Sequence, residues 1–167
     1  MSAVTATSPE RRPDFETAVR SEDRLELRIW LRLLTCANLI ERRVRQQLRD
    51  RFSLTLPRFD LLAQLDRAPQ GLTMGELSRR LMVSNGNVTG LIDRLLAEGL
   101  VERAPAPDDR RVQVVRLTAA GKAGFDAMAA VHEGWIAEMM VELSRGEMAG
   151  LYALLAKLKR SVEHAEE

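Results

Sequence analysis

The sequence predicts a mainly α-helical fold with one small β-hairpin, and three observations predict it. Apolar residues recur at three- and four-residue steps along most of the chain. A hydroxyl followed three residues later by a carboxylate, the mark of a helix start, occurs at Thr73/Glu76 and Ser144/Glu147. After Gly99 the pattern changes to two short β-type runs around a turn rich in proline and aspartate.

The first 24 residues contain Pro9, Pro13 and mixed charges without an apolar core, so they read as a flexible N-terminal arm and not a secretory leader. A long amphipathic helix follows from about Arg24 to Arg51, with Leu27, Trp30, Leu31, Leu34, Ala37, Ile40, Val44 and Leu48 along one stripe. Pro57 suits a first helical turn, and Phe59, Leu61, Leu62 and Leu65 make a second helix that Pro69 and Gly71 end. Thr73 and Glu76 open a third helix reaching about Leu81. Ser84 is placed to cap a fourth running to about Ala97, which Gly99 closes in the left-handed conformation. Residues 100–103 and 112–117 form the hairpin, the second run carrying the β-branched Val112, Val114 and Val115. Thr118 caps a long helix containing Phe125, Met128, Val131, Trp135 and Met139. Ser144 and Glu147 start the last, striped by Leu151, Leu154, Leu155, Leu158 and Val162.

Composition removes several classes. One cysteine in 167 residues excludes an intrachain disulfide framework and fits a reducing cytoplasm. No apolar run is long enough to span a membrane. His132 and His164 lack metal-ligand spacing, and no phosphate loop, dinucleotide fingerprint or nucleophile is present. The expectation is no enzyme, no catalytic residues, no metal and no cofactor. Net charge is only +1, but it is unevenly spread. Residues 28–51 hold seven basic against two acidic side chains, and residues 123–167 hold four basic against eight acidic. A basic front and an acidic back orient a protein on a polyanion, although two solvated helix faces would read the same way.

The centre carries the chemistry. Two short helices joined by a tight turn, then a hairpin, make a winged helix-turn-helix core, here flanked by long dimerisation helices. The B-DNA major groove admits one helix, whose first turn needs small hydrogen-bonding side chains. The fourth helix supplies Ser84, Asn85, Asn87 and Thr89, with Val88, Leu91, Ile92, Leu95 and Leu96 on its other face. At the hairpin tip, Arg110 and Arg111 follow Asp108 and Asp109. Arginine suits the negative potential of a narrow minor groove, and a neighbouring carboxylate holds its fork. Arg58, Arg79, Arg80 and Arg94 are candidate phosphate contacts. Each of these features also has a plainer reading as ordinary capping or solvated surface.

Residues 71–124 resemble the DNA-binding core of the MarR family of bacterial regulators. The likeness is carried by Asp93-Arg94-Leu95, Gly99-Leu100-Val101-Glu102-Arg103, Asp108-Asp109-Arg110-Arg111, and Leu117-Thr118 with Gly121, in that order. It extends through the flanking helices over about 25–164. The resemblance implies a homodimer held by the first helix and the last two. It also implies Arg111 in a minor groove oriented by Asp109, and Ser84, Asn85, Asn87 and Thr89 at the major groove. Gly90 departs from the polar or basic residue often found there, which puts one DNA contact in doubt. The organisation expected is an arm (1–24), a dimerisation helix (25–56), a DNA-binding lobe (57–118) and C-terminal dimerisation helices (119–167).

The same resemblance implies a regulator, read as a repressor, released from a pseudo-palindromic double-stranded DNA operator by a small-molecule effector. The effector set would be Trp30, Arg32, Leu33, Cys36, Asn38, Phe59 and Met128, with Leu34 alongside. A likeness to a subgroup tied to aromatic-acid catabolism points to an aromatic acid or its CoA thioester. Two alternatives stay open: a helical dimerisation module whose winged core binds a protein, and a redox-sensing regulator acting through Cys36. The apolar neighbours of Cys36 favour an inert buried thiol over the second.

Overall fold

The computed structural model describes residues 25–106, 109 and 111–164, with only the backbone of Asn85. The expected N-terminal arm, Asp108, Arg110 and the last three residues lie outside the described set. Among the described residues, six helices and one hairpin run in the order α1 (Leu25–Phe52), α2 (Leu56–Asp66), α3 (Met74–Leu81), α4 (Asn85–Ala97), β1 (Val101–Pro105), β2 (Gln113–Leu117), α5 (Ala119–Met139) and α6 (Arg145–His164). The chain divides into two compact units, residues 1–46 and 47–167. The described part of the first is the body of α1, on which Leu25, Leu27, Ile29, Trp30 and Leu39 are exposed. No described helix is long and apolar enough to cross a membrane.

In the second unit, local chemistry sets the element ends. Pro57 sits in the first turn of α2, where its missing amide costs nothing. At α3, Thr73 Oγ1 accepts from the Glu76 amide at 3.3 Å, and Glu76 Oε2 accepts from the Thr73 amide at 2.8 Å. Met82 ends α3 in the left-handed region at φ 52°, and the Ser78 hydroxyl donates to the Val83 carbonyl at 2.5 Å. Those bonds turn the chain within three residues and launch α4 from Ser84. Ser84 has the extended backbone of a cap, but its side chain makes no capping hydrogen bond. Gly99 follows α4 at φ 70°, a conformation that penalises a side chain.

Leu48, Leu61, Leu62, Leu65, Leu77, Val88, Ile92, Leu95 and Val101 are fully buried. Of the apolar face expected on α4, Val88, Ile92 and Leu95 form the core contact, while Leu91 and Leu96 lie at its margin. The hairpin strands pair antiparallel, Val101 opposite Leu117 through Pro105 opposite Gln113. β1 therefore runs two residues beyond the expected Arg103, because Pro105 tolerates the strand conformation at its end. Leu72 adds a third rung: its amide donates to the Val115 carbonyl at 2.9 Å, and the Val115 amide returns the bond at 2.8 Å. This ties the wing back to the start of α3. α2 packs on α5 through Phe59 and Phe125, whose ring centres are 5.6 Å apart.

The Thr73–Glu76 box supplies a test. Hydrogen bonds from the Thr73 backbone and then its side chain hold the Glu76 carboxyl below its ordinary value of 4.5. A carboxyl whose folded value is depressed adds stability above its unfolded value, and that stability is lost as pH falls through the lowered one. Thr73→Ala is expected to destabilise the fold by roughly 1 kcal/mol at neutral pH. In urea titrations the gap between variant and parent should narrow below about pH 4. A constant gap down to pH 3 would detach the box from the carboxylate.

Candidate nucleic-acid interface

The helix-turn-helix pair and the wing each carry polar side chains at the exterior. The first turn of α4 places Ser84, Asn87 and Thr89 at the exterior, with the exposed Gly86 and Gly90 between them. Asn85 belongs to this turn by position, and its side chain lies outside the described set. Val88 and Ile92, fully buried, anchor the helix from behind, so rotation about its axis is fixed and the polar stripe faces outward. Arg94, further along α4, is exposed. On α3, Arg79 and Arg80 are exposed and line a shallow groove with Glu76.

At the wing, the Arg111 side chain is 92% exposed and is held entirely by its neighbour Asp109. The Arg111 amide and Nε both donate to Asp109 Oδ1, at 2.9 and 3.2 Å, and Nη2 donates to Oδ2 at 3.3 Å. The Arg111 side chain, and after it the Arg111 amide, keeps the Asp109 carboxyl below the ordinary carboxylate value. Asp109 thus stays ionised near neutrality and holds a guanidinium out from the loop in one orientation. Asp93 on α4 and Arg103 on β1 form an ion pair at 3.2 Å that links helix to wing. Across the hairpin, Arg116 pairs with Glu102 at 2.7 Å.

Comparison with known proteins decides what carries this surface. Residues 52–112 match the model of the MarR family. The chain is 31% identical over 121 residues to the transcriptional activatory protein BadR of Rhodopseudomonas palustris, covering 71% of this chain and 69% of BadR. A crystal structure of a MarR family transcriptional regulator from Silicibacter pomeroyi superposes with a TM-score of 0.69 at 36% identity, over 82% of this chain and 94% of that one. Streptococcus pneumoniae FabT, solved in complex with DNA, superposes with a TM-score of 0.69 at 25% identity, over 84% of this chain and 99% of that one. This chain belongs to the MarR family. It is a winged helix DNA-binding transcriptional regulator and not an enzyme.

Within this MarR family chain, two residues depart from expectation. Arg58 does not stand out as a phosphate contact. Its side chain is only 12% exposed, and Nη2 forms an ion pair with Glu98, the residue that ends α4. In this arrangement the Arg58 guanidinium is turned to Glu98 and largely covered, which counts against the expected phosphate contact. Cys36, read as a buried inert thiol, is exposed.

The residues suggested for effector binding fall in both compact units. In the first, Trp30, Arg32, Cys36 and Asn38 are exposed and Leu33 is half-buried. In the second, Phe59 and Met128 are buried, and Phe59 stacks on His132 with ring centres 5.0 Å apart. The sequence reading did not bring Glu98 together with Arg58, or Asp93 with Arg103. Glu98 meets Arg58 across 40 residues, a separation at which no local pattern exists to be read.

Proposed function

We propose that this MarR family protein is a cytoplasmic homodimeric repressor that occupies a pseudo-palindromic operator and leaves it when an aromatic acid or its CoA thioester binds. One observation carries the DNA-reading part: an exposed, carboxylate-braced Arg111 on the wing together with an outward polar first turn of α4. A helix of that kind suits a major groove, and an exposed guanidinium braced by a carboxylate suits a minor groove. Ser84, Asn85, Asn87 and Thr89 would meet base edges or phosphates, Arg79 and Arg94 phosphates, and Asp109 would orient Arg111. The position of Arg110 in the sequence makes it a further candidate.

Dimerisation is supported by α6, on which Leu151, Leu154, Leu155, Leu158 and Val162 are all exposed in the single chain. A two-fold pair would cover such stripes and set the two reading helices about 34 Å apart, one turn of DNA. Repression follows sterically if that site overlaps a promoter. The effector reading rests on the subgroup resemblance and the basic stretch 28–51, and calorimetry with aromatic acids and their CoA thioesters tests it.

Arg111→Ala is the direct test of the interface. Fluorescence anisotropy with duplex from the protein's own upstream region should show binding weakened about 10- to 100-fold, the range for a groove-entering arginine. For the parent, affinity should fall steeply with salt, as neutralising about 6–10 phosphates requires. An Arg111→Ala protein that binds like the parent would remove the wing from the interface.

A further inference from the structure

Met82 stands apart from its neighbours in backbone and in exposure. It ends α3 in the left-handed region at φ 52°, a conformation that costs an L side chain free energy and costs glycine none. It is also 93% exposed, more than any other large apolar residue described. The turn requires this backbone, since hydrogen bonds close on either side of it. The Met82 amide donates to the Arg79 carbonyl at 3.3 Å, and the Val83 amide to the Ser78 carbonyl at 3.2 Å. The turn does not require the thioether arm, which the chain leaves almost wholly in water. Strained backbone of this kind clusters where a residue meets a ligand. Along the chain Met82 stands between the exposed Arg79 and Arg80 of α3 and the exposed Ser84 that opens α4.

We propose that Met82 is a DNA-contact residue, its thioether arm lying against an apolar part of the duplex, a thymine methyl or a deoxyribose, at the turn between α3 and α4. Apolar side chains meet thymine methyls in the major groove, and the unbranched, polarisable arm of methionine fits an irregular surface. Burial in the complex supplies the apolar contact that the fold withholds from this side chain. The contact involves no charge, so it adds affinity without releasing counterions, and its loss leaves the salt dependence of binding unchanged. This inference rests on the reading of α4 as the DNA-reading helix, and it adds to that helix an uncharged neighbour with a role of its own.

The test uses the full-length protein and duplex from its own upstream region. Met82→Gly should weaken binding about tenfold, the lower range for uncovering a methionine-sized side chain. Its salt slope should equal the parent's, and its melting temperature should not fall, because glycine relieves the left-handed backbone. Met82→Leu should bind within about twofold of the parent, whereas Met82→Gln, as long but polar, should lose as much as Met82→Gly. Hydrogen peroxide gives a direct footprint: one oxygen passes to Sδ as the O–O bond breaks and water leaves. The Met82 peptide should gain that oxygen readily in the free protein and slowly on the duplex, while the half-buried Met148 on α6 reacts alike in both. Deoxyuridine in place of thymidine assigns the partner: a matching loss gives the contact to the thymine methyl, an unchanged affinity to deoxyribose. Met82→Gly binding like the parent, Met82→Gln binding as well as Met82→Leu, or oxidation at one rate with and without duplex would each overturn the contact. A parent that binds the duplex while these tests fail leaves the DNA reading standing, and Arg111→Ala judges that reading separately.

Discussion

Replacing Gly121 by alanine is expected to destabilise the fold by about 3 kcal/mol or more, the upper range for an overpacked core. A Cβ at this position would stand 1.8 Å from the Leu100 carbonyl oxygen and 2.8 Å from its carbon. These atoms are backbone, so no rotamer change relieves the clash. The same carbonyl accepts the Thr118 amide at 3.1 Å, and the Thr118 hydroxyl donates to the Gly99 carbonyl at 2.7 Å while accepting the Gly121 amide at 2.9 Å. Moving α5 away to admit a methyl would break that set and shift the helix off the hairpin base. Gly134 lies in the same helix with nothing within 4 Å of its Cβ position. Gly134→Ala should therefore be neutral or stabilising by up to about 1 kcal/mol from helix propensity alone. Thermal and urea melts of the two variants read the contrast directly. Equal melting for Gly121→Ala and parent would show that α5 does not approach the Leu100 carbonyl so closely.

Much of this was legible because it is local. Thr73 with Glu76 and Ser144 with Glu147 form reciprocal caps over three residues, and both are present as read. The apolar face of α4 was legible for the same reason, since its period alone says which residues turn inward. Gly121 was visible as part of a family motif, while its reason, a backbone contact with Leu100, needed coordinates. The bridge from Leu72 to Val115 and the pairing of Arg58 with Glu98 join segments far apart in sequence. Charge type alone placed Arg58 among phosphate contacts; its pairing with Glu98 and its low exposure, set by how α2 and the α4 terminus pack, could not be read that way. Ser84 shows the reverse limit. Its residue type and backbone are those of a cap, yet its hydroxyl makes no capping bond and is left for other partners at the surface.

The other large expected effect concerns α6. This helix has 20 residues and none is buried in the single chain. Leu154 is 68% and Leu158 40% exposed, and they lie one turn apart on the stripe that runs from Leu151 to Val162. A bare stripe of this length is a liability for a soluble chain unless a second surface covers it. The double substitution Leu154→Glu, Leu158→Glu should cost the isolated chain little, because both side chains already face water there. In a dimer the same carboxylates would be forced into an apolar contact without partners, which is strongly unfavourable. Sedimentation at micromolar protein should therefore show a monomer for the variant and a dimer for the parent. Losing the second reading head should weaken operator binding by about 10²- to 10⁴-fold, since the second contact no longer benefits from a tethered effective concentration. Far-ultraviolet circular dichroism that stays helical would assign the loss to assembly. A double variant that remains dimeric would place the interface elsewhere, leaving the exposed stripe on α6 without its proposed cover.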